Sequence, residues 1–264
     1  MKKLKNLEEG SFLKLFFAFF SAAFLIAAVC MPDRNTMFSG LWQIMSQPGK
    51  ISTNYFAVGG YAATFLNMGL VGLCCLGLYV LCGATPNNVS TLAFVLTLGF
   101  CSWGINILNI WPTVLGVVLY CLVKKEKLGA NVNAMLFSTG IAPLISDLLV
   151  RHPYPDVVGF NLYGFVVAMI VGIAIGFFLP AGLTHSPKVH KGFDLYSAAV
   201  PVCLFAFFLN ATLFKTMGIE LPAAPGAETL LVASRLTVNL FCCILFGLCI
   251  VFALAMGCKP KQYW

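Results

Sequence analysis

The chain has 264 residues, of which 60% are hydrophobic and 9% charged, with a formal net charge of +7. A soluble domain carries about 25% charged residues, so this chain is too poor in charge to cover a surface in water, whereas a lipid-facing surface needs none. Its basic residues sit singly at the edges of apolar segments, with no basic run beyond Lys124-Lys125-Glu126-Lys127, which argues for charges that orient membrane spans and against a nucleic-acid surface.

The expected fold is therefore an all-α integral membrane protein, a single transmembrane domain over residues 1–264 whose main partner is the lipid bilayer. A hydrocarbon core of about 30 Å takes roughly 20 apolar residues per helix. Hydropathy predicts about eight spans, at 13–31, 55–82, 90–108, 109–123, 132–150, 157–180, 194–214 and 229–257. Residues 1–12 carry Lys2, Lys3 and Lys5 and form a cytoplasmic N-terminus. The apolar run that follows exceeds the 7–15 residues of a signal-peptide core and lacks a cleavage site, so it is expected to stay as a signal anchor.

Residues 32–54 are the longest connection, an outer loop in which Met37–Met45 (MFSGLWQIM) has apolar residues at helical spacing around Trp42. This pattern predicts a short helix lying in the membrane interface. In the next span, Asn67 stands mid-helix, where a carboxamide has to find a partner. That partner is either another helix or a substrate.

The run 90–123 is too long for one span and is divided at Asn109. Its interruption, Gly99-Phe100-Cys101-Ser102-Trp103-Gly104-Ile105-Asn106-Ile107-Leu108-Asn109-Ile110-Trp111-Pro112, carries two Gly, two Asn, a Ser and a Pro. Freed backbone groups at membrane depth must be buried in protein or line a wet cavity. The segment thus reads either as a broken helix of the kind that builds transporter sites or as a tight turn between two spans. A second interruption, Ser138-Thr139-Gly140-Ile141-Ala142-Pro143, precedes Asp147 and Arg151, which stand four apart and can pair. The charges nevertheless favour a full crossing at 132–150.

Later in the chain, Gly159-Phe160-Asn161-Leu162-Tyr163 resembles Gly192-Phe193-Asp194-Leu195-Tyr196, each opening a span with a capping Asn or Asp. Ala168, Gly172 and Gly176 form a small-residue ridge for close helix approach. Arg235, Asn239 and Asn210 are further polar residues of the last spans. With an inside N-terminus, eleven basic residues fall inside and five outside, as the positive-inside rule requires, which makes this a multi-pass protein of the cell membrane with both termini cytoplasmic.

Enzyme signatures are absent: the three His fall in loops, and no H-E-x-x-H, G-x-S-x-G or Walker pattern occurs. The eleven Cys lie mostly in apolar stretches without metal-ligand spacing and read as small apolar fillers. No catalytic residue, metal or cofactor is expected. The candidate binding residues are Asn67, Gly99, Ser102, Gly104, Asn106 and Asn109, for a transporter-like protein of a small solute. The rival is a non-catalytic scaffold or assembly protein whose polar residues only lock helices together.

Thr53-Asn54-Tyr55-Phe56-Ala57-Val58-Gly59-Gly60, Phe65-Leu66-Asn67-Met68-Gly69-Leu70-Val71-Gly72, Gly99-Phe100 with Gly104 and Asn106, and Lys191–Tyr196 together resemble an uncharacterised bacterial membrane family, domain of unknown function fifteen seventy-six. The resemblance implies a multi-spanning protein with no established activity. It also implies a second copy of these motifs in longer members, so the chain is expected to be a half or truncated unit, completed by a homodimer or by a missing second repeat. Where the family pattern tends toward Asp and Lys, this chain has Asn54 and Ile105, which weakens any ion-coupled role.

Overall fold

The computed structural model describes residues 8–48, 53–151, 159–191, 193, 198–209, 211, 212, 215 and 235–255. Among them every regular element is helical. Lys2, Lys3, Lys5, Lys50, His152, Asp194–Tyr196, Asn210 and the C-terminal lysines lie outside the described residues.

The first helix, α1 (Glu9–Cys30), packs along α3 (Tyr55–Leu81) through a Phe stripe in which Phe17 meets Tyr79 at 5.5 Å and Phe24 stacks on Phe65 at 6.0 Å. The next helix in the chain, α2 (Met37–Met45), has the bounds that the sequence predicts and also packs on α3. Its buried side is Gly40, Leu41 and Ile44, while Phe38 and Trp42 are exposed. A methyl group on Gly40 would overlap the Gly59 carbonyl, so only glycine lets α2 lie this close to α3.

Helix α3 is capped by Asn54, whose side chain accepts from Phe56 N at 3.0 Å. It then breaks at Gly60, where φ is 85°, a conformation glycine adopts without the penalty a side chain brings. The break frees backbone donors at the start of the long straight part of α3, and the Asp33 carboxylate takes one of them, Ala62 N–H, at 3.2 Å. Asp33 thus acts as a helix cap from a distant part of the chain.

Next come α4 (Asn88–Phe100) and α5 (Trp111–Lys124). Asn87 and Ser90 close a capping box at the start of α4. Pro112 occupies the first turn of α5, where the missing N–H is harmless. It therefore starts a helix rather than breaking one, and the interruption runs from Cys101 to Ile110 instead of centring on Asn109.

With 13 and 14 residues, α4 and α5 are each about 20 Å long at 1.5 Å per residue, short of a bilayer core. The hairpin starts and ends at one end of the molecule. There Gly129, just after α5, lies against the Cys82 carbonyl and Ala84, just before α4. The same end holds the start of α1, with Gly10 against Thr85, and the end of α10 (Arg235–Ala255), with Phe252 5.4 Å from Phe12.

The following segment is α6 (Val132–Ser138), a 3-10 turn at Thr139–Ile141, and α7 (Ala142–Arg151). Asp147 and Arg151 pair at 2.9 Å as their spacing predicts. Helix α8 (Leu162–His190) opens with Asn161, which caps Gly164 N–H at 2.6 Å. Its Ala168-Gly172-Gly176 ridge is filled from within the chain by α5: methyl groups on Gly172 and Gly176 would strike Pro112 and the Thr113 carbonyl. The ridge is thus internal packing and offers no free surface to a second copy. Helix α9 (Ala199–Leu209) lies outside α8, with Pro201 against Gly182.

Four helical segments are long and apolar enough to cross a membrane: Glu9–Cys30, Tyr55–Leu81, Leu128–Arg151 and Leu162–His190. The other four expected spans appear as shorter apolar helices, Asn88–Phe100, Trp111–Lys124, Ala199–Leu209 and Asn239–Ala255. Among the described residues four helices thus reach spanning length and the count of eight full crossings is not confirmed; parts of the spans expected at 194–214 and 229–257 lie outside the described residues. The main core joins α1 to α6 and takes in Ala142 of α7 and Leu179 of α8, and a second core of Ile145, Leu148, Leu149, Val150 and Ala168 joins α7 to the first half of α8.

Candidate functional site

The tip of the α4–α5 hairpin lies well inside the helical layer. Pro112 packs on Gly172, the eleventh residue of α8, about 15 Å from that helix's start. Ten residues, Cys101–Ile110, are non-helical there and would leave their backbone groups bare in an apolar surround. Three buried carboxamides take them up.

Asn67, fully buried in α3, donates from Nδ2 to the carbonyls of Cys101 (3.0 Å) and Ile105 (2.8 Å), and its Oδ1 accepts from Ile107 N (3.1 Å). Asn106 Oδ1 accepts from Leu108 N and Asn109 N, both at 3.0 Å, while its Nδ2 donates to Tyr55 Oη at 3.2 Å. Asn109 Oδ1 accepts from Asn106 N at 2.9 Å, and its Nδ2 donates to the Gly104 carbonyl and to Ser146 Oγ, each at 2.8 Å. Every donor and acceptor atom of the three amides has a partner in the chain. Tyr55 N also donates to the Ser102 carbonyl at 3.0 Å.

Tyr55 and Asn67 thus hold the same connection, although twelve residues of unbroken helix would separate them by about 18 Å. The break at Gly60 is what lets the first turn of α3 fold back to it.

The two interrupted segments meet at this point. Ser146 of α7 receives the Asn109 bond, and Gly104 leaves room for the Pro143 ring, which a methyl group there would meet at 2.7 Å. Beside this junction opens a cleft of about 310 Å3, lined by Phe100, Trp103, Ile105, Gly140, Ile141, Pro143, Leu144, Val202 and Ala206. Of the sequence candidates, Asn67, Gly104, Asn106 and Asn109 come together in the network. Ser102 is half-buried and bonds locally, its hydroxyl donating to the Gly99 carbonyl at 2.6 Å. Gly99 is exposed with open space beside it. None of the six lines the cleft.

Sequence reasoning missed Tyr55, Gly60, Asp33 and Ser146. Ser146 had a local signal, as a hydroxyl in an apolar helix turn. Asp33 and Gly60 had none, because their meeting depends on a 27-residue separation closed only by the fold.

A second polar junction ties the base of the hairpin. Tyr79 Oη and Ser90 Oγ both donate to Asn133 Oδ1, at 2.6 and 2.8 Å, joining α3, α4 and α6.

A family model described as a protein of unknown function (DUF1576) matches residues 33–215, more than two thirds of the chain. No curated protein and no solved structure matches the chain.

Proposed function

The chain belongs to the DUF1576 family of proteins of unknown function, and from its geometry we propose that it is a transporter-like membrane protein for a small solute. In this reading the α4–α5 hairpin is a re-entrant element that enters and leaves at the cytoplasmic side. Segment 128–151 crosses beside it. The single observation that carries the reading is the meeting of two interrupted segments, Cys101–Ile110 and Thr139–Ile141, at an open cleft. Discontinuous helices facing one another near the midplane are how many transporters build their sites.

The asparagines take a different role from the expected one. Their hydrogen bonds are used within the chain, so they hold the wall of the pathway instead of binding the solute. Lys124, Lys125 and Lys127 at the hairpin base favour a cytoplasmic position for that end and for both termini. Reporter fusions after Gly129 and Lys191 should then both read inside.

The test is water access to the junction. In a variant whose sole tryptophan is Trp103, reconstituted in vesicles, aqueous acrylamide should quench the emission. A pathway is open to water on at least one side at a time. The rival, a scaffold with a sealed core, is favoured by the closed amide network. It predicts quenching by brominated lipids alone, and that result would reject the transport reading.

A further inference from the structure

The cleft has a chemical character of its own. All nine lining residues are apolar or glycine, with no charged group among them, so a charged solute would lose its hydration without compensation. One wall is aromatic: the rings of Phe100 and Trp103 are nearly parallel, 15° apart with centroids at 5.9 Å. Trp103 is 47% exposed, and its indole N–H has no hydrogen-bond partner among the described residues. The opposite walls are Gly140, Ile141, Pro143 and Leu144 at the second chain break and Val202 and Ala206 on α9.

Each feature restricts the occupant. The missing charge requires an uncharged molecule, the near-parallel rings favour a flat one, and the free indole donor is available to an acceptor oxygen. The volume, about 310 Å3, falls at the lower end of small-molecule sites. We infer that this cleft binds a small uncharged molecule with a flat ring and a carbonyl-type oxygen, held between the Phe100–Trp103 wall and Val202 and Ala206. The inference rests on the transport reading for its purpose, but binding itself is tested separately.

The probe is 2,3-dimethyl-1,4-naphthoquinone, which is flat, uncharged, carbonyl-bearing and a quencher of indole emission, and whose two ring methyl groups block addition by the native cysteine thiols. The host is the full chain in nanodiscs with Trp42→Phe, Trp111→Phe and Trp264→Phe, leaving Trp103 as reporter. Quenching should saturate with added probe. Ala206→Phe, which fills the cleft from the exposed side of α9, should weaken the apparent affinity at least tenfold while leaving the emission maximum in place. Val202→Phe is the second filling variant, should the first misfold. Quenching that rises linearly with the probe dissolved in lipid, unchanged by both variants, means that lipid chains and not a specific ligand occupy the cleft, and overturns the inference. Saturable binding without acrylamide access would keep the site and remove the transport reading; access without saturation would do the reverse.

Discussion

The two chain breaks that meet at the cleft are held in opposite ways. At Cys101–Ile110, Asn67 and Tyr55 reach across from α3 and Ser146 from α7, while Asn106 and Asn109 of the connection itself satisfy its bared backbone. At Thr139–Ile141, the available hydroxyls bond only to their own helix: Ser138 Oγ donates to the Met135 carbonyl and Thr139 Oγ1 to that of Leu136, both at 2.7 Å. A short 3-10 stretch inside a helical segment often marks a hinge. Long-range bonds fix a break to its surroundings, whereas local bonds travel with the helix and leave it free to bend. The main core runs just past this second break, to Ala142, and the core that α7 shares with the first half of α8 begins at Ile145.

Substitutions can separate the two. The largest loss is expected for Asn67→Leu, which strands two carbonyls and one N–H in a dry surround. At about 1–3 kcal/mol for each stranded group, the total is at least about 3 kcal/mol. Thermal unfolding in mild detergent should show a collapse of the folded fraction. Gly176→Leu comes next. It drives a side chain into the Thr113 carbonyl, an overpacking worth about 1–3 kcal/mol, and separates α5 from α8. Native mass should stay unchanged, since the ridge is filled within the chain; a shift from dimer to monomer would mean that the ridge also pairs copies.

Ser146→Ala removes the one side-chain bond that joins the breaks and should cost about 1 kcal/mol. Asn109 keeps its bond to Gly104. The smallest effect belongs to Thr139→Val, below about 0.5 kcal/mol, because a hydroxyl bonded back to its own helix stabilises little. If Thr139→Val proved as damaging as Asn67→Leu, the distinction between a fixed and a free break would be lost.

Much of this arrangement was legible in the chain, and for physical reasons. Carboxamides at 67, 106 and 109 stood out because polar groups in apolar runs need partners, and they proved to be one another's neighbours. Met37–Met45, Asn161 and the Asp147–Arg151 pair followed from local spacing, which depends on a few residues. The depth of the α4–α5 hairpin did not. Hydropathy counts apolar residues, and both a half-deep hairpin and two crossings consist of them. Nor did the sequence tell a binding amide from a locking one, since that depends on which partner stands opposite. Gly172 and Gly176 announced a close contact but not that Pro112 and Thr113 make it.

Bending at Thr139–Ile141 against a fixed Cys101–Ile110 can be read from distances between spin labels. Labels carried on non-canonical residues leave the native cysteines untouched. One pair, at Leu73 and Leu119, sits on two helices of the main core; the other, at Leu119 and Val166, reaches from α5 to the first turns of α8, before its Gly172 and Gly176 contacts with α5 and beside the core that it shares with α7. All three positions are exposed. A single narrow distance is expected for the first pair and two populations for the second in nanodiscs, merging into one when the cleft is filled by Ala206→Phe. Equally narrow distributions for both pairs would show one rigid block and contradict that bending.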